Sequence, residues 1–237
     1  MENNKIRHHI SQQFNQELED MRNKVLAMGG LVERQIEDAV KALASGDMEL
    51  ADNVISQDHI VNGMEVAMDE ECTRILARRQ PAAFDLRLLI AVIKTITDLE
   101  RIGDQAERVA RMAIRMADLG RPKTHYTELQ HLGNLVREIL HKALDTFARM
   151  DAEGAAAVAR LDLDADHEYD SVMRQMITHM MEDPRNVRYT LNIIWAARAL
   201  ERIGDHARNI CEYVIYFVKG KDVRHTSFDE MEKEAKE

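Results

Sequence analysis

Apolar residues recur along this chain at the three- and four-residue spacing of a helix face, not at the alternation of a strand. In one segment the stripe runs Val54, Val61, Met64, Met68, Cys72, Ile75, Leu76. In the next it runs Leu86, Leu89, Ile93, Ile96, Gly103, Ala110, Ile114, Ala117. Breakers are few, with 10 Gly and 3 Pro in 237 residues. Placing helix ends at them predicts six long helices. They span about Ile10 to Ala44, Asp47 to Arg79, Ala83 to Leu119, Thr124 or Thr127 to Met150, Asp151 to Glu182, and Arg185 to Lys219. The first is expected to bend or weaken at Gly29-Gly30, the second to stop at Pro81 and the fifth at Pro184. The charged run Asp229–Glu237 reads as a frayed or disordered tail. Helices this long need neighbours to bury their stripes.

The chain also repeats itself. Leu99-Glu100-Arg101-Ile102-Gly103-Asp104 recurs as Leu200-Glu201-Arg202-Ile203-Gly204-Asp205, an offset of 101 residues. At that offset nine of the 25 positions from Asp85 to Val109 are identical. The stripe of the preceding helix keeps phase, with Met68, Cys72, Ile75 and Leu76 falling on Tyr169, Met173, Met176 and Ile177. A long in-phase repeat implies a duplicated unit. The expected fold is therefore all-α, two tandem three-helix bundles related by internal duplication. The expected divisions are residues 1–121, 122–220 and a charged tail 221–237, with the boundary near Gly120–Thr124.

Composition narrows the class. Apolar residues are 45%, enough for a core, and the formal charge is −10. Phosphate affinity in nucleic-acid binders comes mainly from Lys and Arg, so no nucleic-acid partner is expected. Cys72 and Cys211 are far apart and outside any zinc spacing, so they read as buried reduced thiols. No apolar leader follows Met1, and the longest apolar stretch, near Leu88–Ile93, is far shorter than a membrane span. A cytoplasmic protein is expected.

The chemistry lies in acids spaced i, i+4: Glu65 and Asp69, Glu100 and Asp104, Asp166 and Asp170, Glu201 and Asp205. Each pair puts two like charges one turn apart on a single face, which is unfavourable without a cation. Glu100 follows Ile93 by about two turns, and Glu65 sits among Val61, Met64 and Met68, so both lie beside the apolar stripe. Folding each helix hairpin about its turn brings its two pairs within about four residues of register, roughly 6 Å. All-oxygen sites suit Mg²⁺, Mn²⁺, Ca²⁺ or iron. Ion pairs with Arg74, Arg101, Arg174 or Arg202, or a solvated face, are the alternative. Glu128 with His131, and Glu138 with His141, share one helix and read as surface polar residues. No phosphate loop or nucleophile motif is present.

The segment Arg79-Gln80-Pro81-Ala82-Ala83-Phe84-Asp85-Leu86-Arg87, the doubled Leu-Glu-Arg-Ile-Gly-Asp and Met64-Glu65-Val66-Ala67-Met68-Asp69-Glu70-Glu71 resemble the PhoU family. The resemblance implies a multinuclear metal site on each bundle, held by Glu65, Asp69, Glu100, Asp104, Asp166, Asp170, Glu201 and Asp205. The ions would be divalent or trivalent: magnesium, manganese, iron or zinc. It implies a regulator of phosphate uptake and a negative regulator of the phosphate-starvation two-component response. The implied partners are a phosphate-sensing histidine kinase and the ATPase subunit of a phosphate ABC transporter. A homodimer that reaches the membrane only through those partners is expected, and not an enzyme. The alternative class is a metal-dependent phosphohydrolase with a di-metal centre. The second half departs from the first, with Asp166 for Glu65 and Asn186 for Asp85.

Overall fold

A computed structural model of the chain describes residues 2–119 and 126–237. Its helices are α1 (Glu2–Ser45), α2 (Met48–Arg79), α3 (Ala83–Asp118), α4 (Tyr126–Arg149), α5 (Ala152–Arg160), α6 (Asp162–Glu182), α7 (Val187–Lys219) and α8 (Phe228–Lys236). A 3₁₀ turn, Pro184–Asn186, leads into α7. The fold is all-α, as expected. The boundary expected at Gly120–Thr124, including the Thr124 cap, lies outside the described residues.

Local chemistry sets the ends. Asp47 caps α2 by accepting from the Leu50 amide, and Asp151 caps α5 by accepting from the Gly154 amide. Helix α2 closes on Gln80 in the left-handed region at φ 49°, just before Pro81. Helices α1, α2 and α3 pack on one another, and α4, α5 and α6 pack around α7. The two sets meet broadly, α3 against α7 and α1 against α4. One continuous apolar core results, from Leu18 on α1 to Ala235 on α8.

That packing widens the buried face of α3 beyond its stripe. Val92, Leu99, Ile102 and Val109 are buried as well, because α3 is flanked by α1, α2 and α7. Leu86, counted in the stripe, is exposed. Ile177 is also exposed, since α6 buries Ala165, Val172 and Met176 instead. Both cysteines are buried free thiols, and burial pushes the Cys72 thiol up to about 12.

Three expectations are corrected. Gly29-Gly30 does not interrupt α1. A Cβ on Gly29 would overlap Leu144, so this glycine admits α4 against the helix. The expected fifth helix is two, broken at Leu161, where the Leu161 amide bonds the Val158 carbonyl and the Asp164 amide bonds the Leu161 carbonyl. The tail is not frayed. Ser227 caps α8, Met231 and Ala235 are buried, and Arg160 holds Asp229 at 2.6 Å and Glu232 at 2.7 Å.

Candidate functional site

The two Leu-Glu-Arg-Ile-Gly-Asp segments lie on α3 and α7, and their glycines mark where a neighbouring helix comes closest. A Cβ on Gly103 would stand 3.3 Å from Gln35 Oε1 and 3.5 Å from Asp58 Oδ1. A Cβ on Gly204 would stand 2.7 Å from Asp162 Oδ1. In each half the bare glycine face thus admits a polar side chain beneath the acids.

Around Gly103 the structure gathers Asp58 and Glu65 from α2 with Glu100 and Asp104 from α3. Burial holds the Glu100 carboxyl above its ordinary range, reinforced by the charges of Asp104, Glu65 and Asp58. Burial raises Asp58 too, against the hydrogen bond from Asn62 and with the charges of Asp104 and Glu107. Thr97 Oγ1 donates to Glu65 Oε1 at 3.0 Å, and Asn62 Nδ2 to Asp58 Oδ2 at 3.0 Å. Asp69 lies one turn further along α2 and is exposed. Gln35, Asp58 and Asn62 each keep a buried oxygen without a hydrogen-bond partner, namely Gln35 Oε1, Asp58 Oδ1 and Asn62 Oδ1. Such groups cost about 1–3 kcal/mol each when left unpaired.

The second cluster repeats the acids and adds cations. Asp162 and Asp166 of α6 face Glu201 and Asp205 of α7, and Asp170 is exposed. Arg208 bonds Asp162 at 2.6 Å and stands 3.6 Å from Asp205. Arg198 bonds Glu201 at 2.6 Å. Their repeat counterparts in the first half are Glu107 and Thr97. Burial still dominates: it holds Asp162 up to about 6 despite Arg208, and Glu201 up to about 7 with help from Asp205.

Among the described residues no three His, Cys, Asp or Glu side chains converge closely enough to hold an ion as they stand. The donor set nevertheless fits a hard cation better in the first half, where buried oxygens and uncompensated acids meet. In the second half a guanidinium already occupies the place of the charge.

Sequence reasoning missed Asp58, Asp162, Gln35 and Arg208. Asp162 carried a signal, since it extends Asp166 and Asp170 by one more i, i+4 step. Asp58 and Gln35 carried none, because their position depends on where α1 and α2 pass Gly103. The pairs Glu128 with His131 and Glu138 with His141 are surface features, as read: His131 reaches Glu168 at 3.3 Å, His141 reaches Glu33 at 3.2 Å, and Lys142 holds Glu138 at 2.7 Å.

A third polar group joins the halves. Asp98 of α3, only 3% exposed, accepts from His206 Nδ1 at 2.7 Å, Asn209 Nδ2 at 3.3 Å and the Tyr213 hydroxyl at 2.7 Å, all on α7. Burial and the Asp98 charge hold the Tyr213 phenol above its ordinary range.

Fold and site together define a duplicated all-α bundle with one carboxylate cluster per repeat. The family model described as "PhoU domain" matches twice, over residues 25–113 and 129–214. A Pseudomonas aeruginosa relative, "Phosphate-specific transport system accessory protein PhoU homolog", is 56% identical over 229 residues, 97% of this chain and 95% of its own length. The Escherichia coli K12 "Phosphate-specific transport system accessory protein PhoU" is 46% identical over 234 residues, covering 98% and 96%. The crystal structure of PhoU from Pseudomonas aeruginosa superposes with a TM-score of 0.85 at 55% identity, over 88% of this chain and all of that one. A regulatory PhoU from Streptococcus pneumoniae gives 0.82 at 30% identity, over 89% of this chain and 99% of its own. The chain belongs to the PhoU family.

Proposed function

We propose that this chain is a cytoplasmic accessory protein of a phosphate-specific transport system. It restrains phosphate uptake and the phosphate-starvation response by contact with a histidine kinase and with the transporter's ATPase subunit. The observation that carries the reading is 46% to 56% identity, over 97% to 98% of the chain, with relatives named as accessory proteins of that system. No helix among the described residues is long and apolar enough to cross a membrane.

Metal is part of the proposal. Asp58, Glu65, Glu100 and Asp104 would hold a divalent or trivalent cation, with Asp69 reaching in from the rim. Asp162, Asp166, Asp170, Glu201 and Asp205 would hold one in competition with Arg208. A bound cation supplies positive charge and open positions for an oxygen ligand. Thr97 and Asn62 orient Glu65 and Asp58 for that role through the hydrogen bonds they donate. The Gly103 and Gly204 faces give the acids room.

The test is reconstitution. Purified chain, loaded with Mn²⁺ and then chelated, is mixed with the purified kinase and ATPase subunit, and co-migration is scored. Turnover of p-nitrophenyl phosphate with added Mn²⁺ is measured alongside. Co-migration without turnover supports the regulator. Turnover that disappears in Glu100→Ala would establish the enzyme instead.

A further inference from the structure

The chain carries −10 overall, yet its α3–α7 face collects arginines. Two adjoining clefts of about 400 and 330 Å³ share Trp195 and Arg115. Arg108, Arg198 and Arg202 line the first, and Arg188 lines the second. The five guanidinium groups are exposed. Asp118 is the carboxylate among the residues lining the two clefts. Arg198 is engaged by Glu201, and Arg108 makes a long contact of 3.5 Å to Gln105. Arg115, Arg188 and Arg202 have no ion-pair partner among the described residues. Trp195, the chain's single tryptophan, is 51% exposed between them.

The repeat shows that the bundle does not require this arrangement. At the 101-residue offset Arg188 and Arg202 fall on Arg87 and Arg101, but Arg108 corresponds to Asn209, Arg115 to Tyr216, Arg198 to Thr97 and Trp195 to Lys94. The counterpart groove satisfies itself, with Lys94 Nζ 5.3 Å from the Tyr213 ring centre and 5.5 Å from that of Tyr216. Only in the groove around Trp195, and not in its counterpart, does an exposed indole stand among unpaired guanidinium groups. Arg and Trp are the residue types that dominate binding energy at interfaces, and guanidinium forks match carboxylates bidentately. Met112 and Ala199 beside Trp195 add apolar floor. The acid clusters on the same two helices oppose a polyanion as long as a nucleic acid.

We propose that the α3–α7 groove around Trp195 docks an acidic segment of a partner protein, its carboxylates held by Arg108, Arg115, Arg188 and Arg202 and an apolar side chain covering the indole. This deepens the reading of the chain as a regulator that works by contact, and it rests on that reading.

The single tryptophan makes the groove its own reporter. The probe is a synthetic peptide of Asp and Glu around a central Leu-Phe pair, with a Lys/Arg version as control. The acidic peptide should shift the indole emission to the blue, bind more weakly as salt rises, and lose about tenfold or more in affinity to Arg115→Glu/Arg188→Glu. Arg115→Gln/Arg188→Gln gives an intermediate loss, and circular dichroism confirms that both variants fold. Equal binding by the charge-reversed chain overturns the proposal. So does an equal emission shift with inorganic phosphate at matched ionic strength, which marks a small-anion site. A change of sedimentation mass in the variant, with no competition by peptide, marks the groove as a contact between copies and also overturns it. Capture of kinase and ATPase subunit separates the two levels. If the charge-reversed chain still captures them, the groove proposal fails and the regulator stands. If the unaltered chain captures neither, the regulator reading fails, whatever the peptide does.

Discussion

Replacing Asp98 by Ala should loosen the junction between the halves more than any other single polar change. The carboxylate serves three donors of α7, His206, Asn209 and Tyr213, from a site sealed off from water. Truncation leaves all three without their acceptor. Bonds to a charged group are worth about 1.5–3 kcal/mol each, but they share one acceptor and do not sum. Removing one partner of a buried charged network costs about 3–5 kcal/mol. For a chain of this size each kcal/mol lowers Tm by about 2–4 °C, so a fall of about 6–20 °C is expected. Asp98→Asn keeps the shape and one acceptor and should cost about 1–2 kcal/mol. Urea and thermal unfolding followed by circular dichroism measure both. A double-mutant cycle with His206→Ala should return a coupling of about 1–3 kcal/mol. If Asp98→Ala lies within about 0.5 kcal/mol of the parent, the network does not hold the halves together.

Three further outcomes follow from the clusters and the packing. Glu201 and Glu212 rest at about 7 in the folded chain against an ordinary 4.5, so folding takes up protons between those values and stability falls as pH rises through that window. Metal-free protein should therefore melt higher at about pH 5.5 than at about pH 8, and Glu201→Gln should flatten the dependence. Arg208→Gln removes the cation bonded to Asp162; Tm in chelator should drop and recover with Mn²⁺, and elemental analysis should show more metal bound than in the parent. Gly133→Ala places a methyl against the Val40 side chain at the α1–α4 contact and should cost about 1–3 kcal/mol in urea unfolding, with metal content unchanged.

Much of this was legible in the sequence because helix faces and duplications are periodic. The 101-residue repeat located both acid clusters through Glu100, Asp104, Glu201 and Asp205. What escaped reading depended on contacts between elements. No Gly or Pro marks the break at Leu161; the chain turns there where Asp162 goes inward to meet Arg208. Helix α8 hides two apolar residues, Met231 and Ala235, one turn apart in a charged run, and they find a surface to cover where α8 packs on α5 and α7. Gly29 reads as a helix breaker by propensity alone, whereas its use is to admit Leu144. Asp98 stands just before the Leu-Glu-Arg-Ile-Gly-Asp motif, outside every i, i+4 pair. Its role appears only once α7 brings three donors to it.

The contact of α3 with α7 and of α1 with α4 has a consequence for how the chain can change. In a symmetric pair of separate three-helix chains, every substitution would be made twice, once on each side of the axis. Here the two copies share one core but are encoded separately. Arg208 can therefore stand opposite Glu107, and Trp195 opposite Lys94, without either half having to accept both. Tethering frees the two sides to specialise, one keeping an open carboxylate cluster and the other neutralising its own, while the common core holds them in one register.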